Sequence, residues 1–501
     1  MSIPTQTADQ ADLCRSLAEL LGADRVLTDE ATLASRGHDF WLLDFQKRVH
    51  GTTGPKPLCV VQPRSQEEVV KVLTFAGSHN LAVVPYGAGS GVCGGARARD
   101  GSLVLDLSLM NKIVAVNDTA LTVTVQPGML GGEFEQTLNS LGYSMGHFPQ
   151  SMNLSSVGGW VATRASGQFS TKYGSIENML VALKAVLADG TVVETRDVPR
   201  RSVGPSVNEI LLGSEGTLAV VTEITYKIHP LPEKQDGNSY RFADFGAGLE
   251  AVRKIMRAGW KPALLRLYDG SESRRHFGGM AGGGCILLLL SEGPAALVEA
   301  EQKACAEIIE AEGGVSRGAG PLEHWLKTRF QIPDLEDLAR NKGVVFDTIE
   351  VAANWDRVYG LYKDVVAALA SVPGIANASA HSSHSYEQGT CLYFTFAVKK
   401  PRWLVRLIAR TLTLGAYDGF TKPEDADEVV RLYNQCWQRV MEATLANGGT
   451  ISHHHGVGQV RMPWLERELG SSYQVLKLVK RSLDRDGVLN PGTLFPDEEG
   501  E

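Results

Sequence analysis

The chain has 501 residues, 43% of them hydrophobic and 21% charged, with a net charge of −8 and a sequence pI near 5.9. This is the composition of a folded protein of roughly two or three domains, and it offers no basic face for neutralising nucleic-acid phosphates. Seven cysteines, at 14, 59, 93, 285, 305, 391 and 436, stand singly without a C-x-x-C pair, which argues against a disulfide framework or a zinc cage and points to a reducing cytoplasm.

The N-terminal stretch carries Asp9, Asp12, Glu19 and Asp24 without a continuous apolar core, so a signal peptide is not expected. No run approaches the ~20 uninterrupted apolar residues that span a bilayer. CVVQP reads as a strand, Ser65 to Ala76 as a helix with Ser65 and Glu68 forming a capping box, and LAVVPYG as a second strand. IVAVNDTALTVTVQPG and ALKAVLADGTVVET each read as two strands around a turn, at Asn117-Asp118 and at Asp189-Gly190. Hairpins require antiparallel strands, so the first half is α+β.

PLPEKQDGN reads as a linker, and a second domain is expected from about Tyr240. Its order is strand (SYRFA), helix (Gly246 to Ala258), strands (ALLRLYD and CILLLLSEG) and helix (Pro294 to Glu312). TIEVA, a helix from Asp356 to Ala370, and the strands NASAHS and TCLYFTFAV follow. That order suits an antiparallel sheet with helices on one face. A long helix is expected over 424–447, then TISHHHGVG as a short strand entering a turn, then a helix from about Ser472 to Leu483 and a turn-rich end.

Gly89, Gly91 and Gly94 satisfy G-x-G-x-x-G after a strand, with Asp106 at the end of the next, the nominal NAD fingerprint. The fingerprint must open a helix, however, and GGARARDGS leaves no room for one before SLVLDLS. PYGAGSG can still hold phosphate through backbone N–H groups, since glycines let the main chain turn inward as an anion nest. Two further polar, glycine-rich stretches, PQSMNLSSVGGWVATRASGQFSTKYG and the start of LLGSEGTLAVVTEITYKI, have the character of ordered loops that wrap a ligand.

These three motifs, in this order over most of residues 55 to 235, resemble the FAD-binding (PCMH-type) domain of the vanillyl-alcohol oxidase family of FAD-linked oxidases. The resemblance implies a flavoprotein. Pro85, Tyr86, Gly87, Ala88, Gly89, Ser90 and Gly91 would hold the pyrophosphate of FAD. Gln150, Ser151, Asn153, Ser155 and Ser156, with Thr163, Arg164, Ala165 and Ser166, would surround the flavin and ribityl chain, and Glu215, Gly216, Thr217, Leu218, Ala219, Val220 and Val221 would lie on the adenosine side. The first loop has no histidine to carry flavin covalently, so noncovalent FAD is expected.

His453, His454 and His455 are consecutive, and on an extended backbone the outer two would point one way and His454 the other. Read from the residues alone, the run fits a metal site short of a third ligand, a structural role, or proton transfer by imidazoles with ordinary pKa near ~6.5. No metal is expected. ISHHHGVG, SYEQGTCLYFTF and ALLRLYD together resemble the alkyldihydroxyacetonephosphate synthase branch, in which the flavin adds to an acyl-ketone phosphate and the acyl chain is exchanged for a fatty alcohol. By that resemblance Tyr393 is the acid/base tyrosine, Arg266 an arginine needed for activity, and His453 to His455 the histidine run. From the residues alone, Tyr393 could equally be a core residue of its strand and Arg266 a surface one.

Two segments depart from that branch. PDLEDLAR has Glu336 where the branch has a phosphate-binding arginine; an acidic residue there repels a dianion, unless Lys327 or Arg329 substitutes. Residues 401 to 420 are extra, with Arg402, Arg406 and Arg410 along one helical stripe beside Trp403, Leu404, Leu407 and Ile408, the pattern of an interfacial helix or of a packed surface helix. The expected domains are a FAD domain over 1–235, a cap over 240–447 and a segment over 448–501 that returns to the FAD site. The expected function is an ether-lipid transferase, with a 2-hydroxy-acid dehydrogenase or oxidase as the alternative; a silent flavoprotein and a His-metal hydrolase rank below them. Expected partners are a small-molecule or lipid substrate, a second copy of the chain and, through 401–420, a membrane surface.

Overall fold

Ser65 starts the helix Gln66–Ser78 by accepting a hydrogen bond from the Glu68 N–H at 3.4 Å. The reciprocal half of the capping box is absent: the Glu68 carboxylate accepts from the Arg64 N–H at 2.7 Å and pairs with Arg25. The structure, a computed structural model, describes residues 8–49, 51–332, 344–399 and 423–496, with 335, 339 and 411. Glu336 and nearly all of 401–420 lie outside the described residues.

Four strands, β1 (Val26–Leu27), β2 (Cys59–Val61), β3 (Val83–Tyr86) and β4 (Leu103–Asp106), form a sheet in the order β1-β2-β4-β3. β4 runs parallel to both neighbours. The second sheet of this half is antiparallel. It takes β5 (Ile113–Asn117), β6 (Thr122–Val125), β8 (Leu180–Val186), β9 (Val192–Glu194) and β10 (Val220–Lys227) in the order β5-β6-β10-β8-β9, and β7 (Tyr143–Ser144) pairs with β11 (His229–Pro230). Both hairpins form as read. The C-terminal segment closes the first sheet: Leu489 bridges Val83 in parallel, and Asn490 Nδ2 donates to the carbonyls of Gly95 and Glu215, each at 2.7 Å.

The cap is a seven-stranded antiparallel sheet in the order β15-β12-β14-β13-β17-β18-β16. Its strands are β12 (Lys234–Phe242), β13 (Leu264–Tyr268), β14 (Cys285–Gly293), β15 (Val315–Gly318), β16 (Val344–Asn354), β17 (Ile375–Ser385) and β18 (Gly389–Lys399). β12 opens inside the stretch read as linker, because Lys234 to Asn238 already pair with β14. Alternate side chains divide the sheet into two faces. Leu265, Leu267, Ile349, Val351, Phe394 and Phe396 pack under the helices Phe245–Arg257, Ala295–Ala311, Val358–Ala370 and Pro423–Ala446. Leu264, Tyr268 and Leu288 pack with Leu322, Trp325 and Phe169, the last from the flavin half. Arg266, Thr348, Glu350, Cys391 and Tyr393 lie on this second face by strand alternation.

Candidate active site

The loop after β3 meets its neighbours closely enough that side chains are excluded. A Cβ on Gly87 would clash with Ser156 Oγ, and Gly89 sits at φ +68°. The N–H groups of Ala88, Gly89, Ser90 and Gly91 find no acceptor among the described residues, which leaves consecutive donors for an anion. Ser156 accepts from the Gly159 N–H at 3.3 Å as the cap of helix Val157–Thr163, and Ser155 accepts from Trp160 Nε1 at 2.8 Å. Thr163 Oγ1 donates to the Gly159 carbonyl at 3.0 Å, and Arg164 ends the helix in the left-handed region. Both ring nitrogens of buried His147 lack a partner among the described residues. The consecutive unpaired donors and the loop that excludes side chains fit the pyrophosphate of a nucleotide cofactor.

Glu215 turns its carboxylate to the C-terminal segment, accepting from Val457 N at 2.6 Å and Gly458 N at 2.9 Å; burial pushes its pKa up to about 7. Leu218, Ala219 and Val220 are core residues, so any contact of theirs with adenosine would run through backbone.

On the cap face, Arg266 lies between Tyr268 and His381. Its Nε donates to Tyr268 Oη at 2.7 Å, and its Nη2 is 2.6 Å from His381 Nε2. A guanidinium has no lone pair to offer, so His381 Nε2 accepts, and Nδ1 donates to Glu272 Oε2 at 2.7 Å. Burial and the adjacent guanidinium push His381 down to about 4. Tyr393 stacks on His381 with centroids 4.8 Å apart and donates to Thr348 Oγ1 at 2.9 Å. Burial pushes its phenol up, so it stays protonated at neutral pH.

The histidine run differs from the expected strand. After one bridge from Thr450 to Ala352 the backbone bends, and the imidazoles of His453, His454 and His455 do not alternate. Rings of adjacent histidines lie 5.1 and 4.5 Å apart, and Tyr393 is 6.3 Å from His454 and 5.6 Å from His455. The cause is Glu350, whose Oε1 accepts from the N–H groups of all three. Tyr386 Oη is 2.7 Å from His453 Nε2, and His384 bonds Ser166 Oγ at 3.1 Å and Ser170 Oγ at 2.7 Å, joining cap to flavin half. Burial lowers the pKa of His453 to about 4 and holds His384 and His454 well below the ordinary range, so these rings are neutral bases at pH 7. Cys391 Sγ and nitrogens of His453 and His454 lie within 4.8 Å of one another, close enough to share a cation; here the two rings meet Nδ1 to Nδ1 at 2.9 Å.

The five catalytic candidates therefore gather on one face: Arg266 reaches Tyr393 through His381, His454 and His455 meet the Tyr393 ring, and His453 reaches it through His454. Sequence reasoning missed His381, His384, Glu272, Glu350 and Tyr386. The available signal was the density of histidine and serine in AHSSHS, unusual for a strand inside a sheet.

A family profile described as FAD binding domain matches residues 57–196, and one described as FAD linked oxidases, C-terminal domain, matches residues 231–494. The chain is 35% identical to an uncharacterized FAD-linked oxidoreductase YgcU of Escherichia coli O157:H7, covering 98% of this chain and 99% of the relative. It is 31% identical to an alkyldihydroxyacetonephosphate synthase of Caenorhabditis elegans, covering 92% of this chain and 79% of the relative. A solved alkyldihydroxyacetonephosphate synthase structure shares the fold with a TM-score of 0.76 at 24% identity, covering 98% of this chain and 86% of that one.

Proposed function

The chain belongs to the FAD-linked oxidase family, with FAD as its cofactor, and from that premise we propose that it exchanges the acyl chain of an acyl-dihydroxyacetone phosphate for a fatty alcohol, as an ether-lipid transferase. The observation that carries this reading is the convergence of Tyr393, Arg266 and the His453–His455 run on the cap face that meets the flavin half. FAD, when bound, supplies the centre at which the substrate reacts. The protonated phenol of Tyr393 gives a proton to the substrate oxygen. A neutral imidazole of the histidine run takes the hydroxyl proton of the incoming alcohol.

An anionic substrate needs a guanidinium in reach. Arg329 is a candidate, its Cζ lying 4.6 to 5.5 Å from the ring centroids of Phe148, Phe169, Trp325 and Phe330. Its hydrogen bond to Gln168 Oε1 is long, at 3.3 Å, and burial pushes its pKa down to about 10. A desolvated guanidinium gains more than an exposed one from an incoming phosphate or carboxylate.

Glu336 favours a second reading, oxidation of a non-phosphorylated 2-hydroxy acid, in which an imidazole would take the hydroxyl proton and FAD, when bound, would be the acceptor of the hydride from the adjoining carbon. The visible spectrum of the purified holoprotein separates the two. Anaerobic acyl-dihydroxyacetone phosphate should bleach it, and fatty alcohol should then yield the alkyl product. Bleaching by a D- or L-2-hydroxy acid, reversed by an electron acceptor with release of keto acid, would replace the first reading by the second.

A further inference from the structure

The three histidines owe their arrangement to a residue distant from them in sequence. Glu350 lies on β16 directly opposite Tyr393 on β18, and antiparallel partners project to the same side of a sheet. Its Oε1 accepts from Ser452 Oγ at 3.1 Å and from the N–H groups of His453, His454 and His455 at 3.2, 3.0 and 2.8 Å. Consecutive N–H groups of an extended strand alternate in direction, so one oxygen can collect three only if the backbone curls into a nest.

Oε2 pairs with the fully buried Arg461 and lies 3.2 Å from His455 Nδ1. Arg461 holds the other end of the loop, its Nη1 donating to the Gly456 carbonyl at 2.6 Å and to Ser452 Oγ at 3.1 Å. Burial alone would raise the Glu350 pKa, but Arg461 and the neighbouring imidazoles outweigh it and hold the carboxyl well below the ordinary range. Apolar residues of similar volume often pack as well as a buried ion pair, so stability alone gives little reason for charge here.

Resting on the reading of the histidine run as the proton-handling part of the site, we propose that Glu350 is its positioning residue. Its carboxylate curls residues 453–455 so that their imidazoles assemble beside Tyr393, and Arg461 fixes the carboxylate. The cross-strand pairing of Glu350 with Tyr393 ties the run and the tyrosine to one rigid element, so proton donor and acceptor keep a fixed separation. A displacement of about 1 Å at such a site costs on the order of 100-fold in rate.

The test compares wild-type holoenzyme with Glu350→Gln and Glu350→Asp in two measurements. The first is kcat and KM on whichever substrate bleaches the wild-type flavin. The second is ¹³C NMR of ring-labelled histidines in the FAD-loaded protein, with His453, His454 and His455 assigned by single substitutions. The expected result for Glu350→Gln is an unchanged flavin spectrum, kcat lower by about 100-fold with KM kept within about threefold, and displaced signals from the three histidines while that of His79 stays. Glu350→Asp should recover part of the kcat. Unchanged kcat, or unmoved signals from 453–455, would overturn the proposal. If Glu350→Gln does not fold, the double variant Glu350→Gln/Arg461→Gln, which removes both buried charges, is judged by the same criteria. The NMR measurement needs no substrate, so it judges Glu350 even if every substrate leaves the flavin yellow and the proposed function fails.

Discussion

Arg266 and His381 are held 2.6 Å apart with the imidazole as acceptor, so the charge of the guanidinium is set in place by a ring that must remain neutral. Replacing His381 with Ala should free Arg266 without touching the flavin. The expected cost is one hydrogen bond to a charged group, about 2 kcal/mol, or roughly 30-fold in kcat/KM. Steady-state kinetics of His381→Ala beside Arg266→Ala checks it, and additive losses in the double variant would show that the two side chains act independently.

Tyr393→Phe removes the protonated donor while preserving the stack on His381. Turnover should fall by 10²- to 10⁴-fold, the usual worth of a general acid, with the flavin spectrum retained. His454→Ala should behave likewise. Normal rates in both would remove the acid/base assignment.

Gly87→Ala should yield colourless protein, because its methyl group meets Ser156 Oγ across the phosphate loop. Gly54→Ala, with nothing within 4 Å, is the control and should stay yellow. Absorbance near the flavin band per mole of purified protein decides it.

Acid should destabilise the protein while its exposed carboxylates are still ionised; the protons taken up by buried Glu215, Asp39 and Asp347, whose carboxyls burial raises to about 7, 7 and 6, offset only part of the loss. His381 and His453 are each pushed down from 6.5 to about 4, and His147 to about 3, chiefly by burial. An unfolded chain takes up protons on these rings as pH falls through 6.5, whereas the folded chain does not until about 4. Stability is therefore fully present above pH 6.5 and is lost between 6.5 and 4, by up to about 1.4 kcal/mol per unit of depression for a buried ring. Urea midpoints at pH 7.5, 6 and 5 should fall in that order; a flat series would contradict it.

The strands of the flavin half were readable because CVVQP, LAVVPYG and the two hairpins carry their own alternation and turn residues. The cap order was readable for the same reason, although β12 began earlier than its Pro-rich lead-in suggested. Flavin binding required recognition of three separated loops, since no single one specifies it. The shape of the histidine run was not readable: local pattern favours a strand, and the carboxylate that bends it comes from Glu350, 103 positions before His453. His381 and His384 were hidden for a related reason. Periodicity reports which residues face a core, and AHSSHS faces polar partners instead, Ser166 and Ser170 of the flavin half and Glu272 from a helix of the cap.

The bridge from Leu489 to Val83 and the Asn490 bonds to Gly95 and Glu215 also bear on how the protein is made. The strands that carry the phosphate loop precede the cap in sequence, while the residues that brace them follow it, so the loop's outer support is translated only after the cap, and a chain interrupted within the cap lacks it.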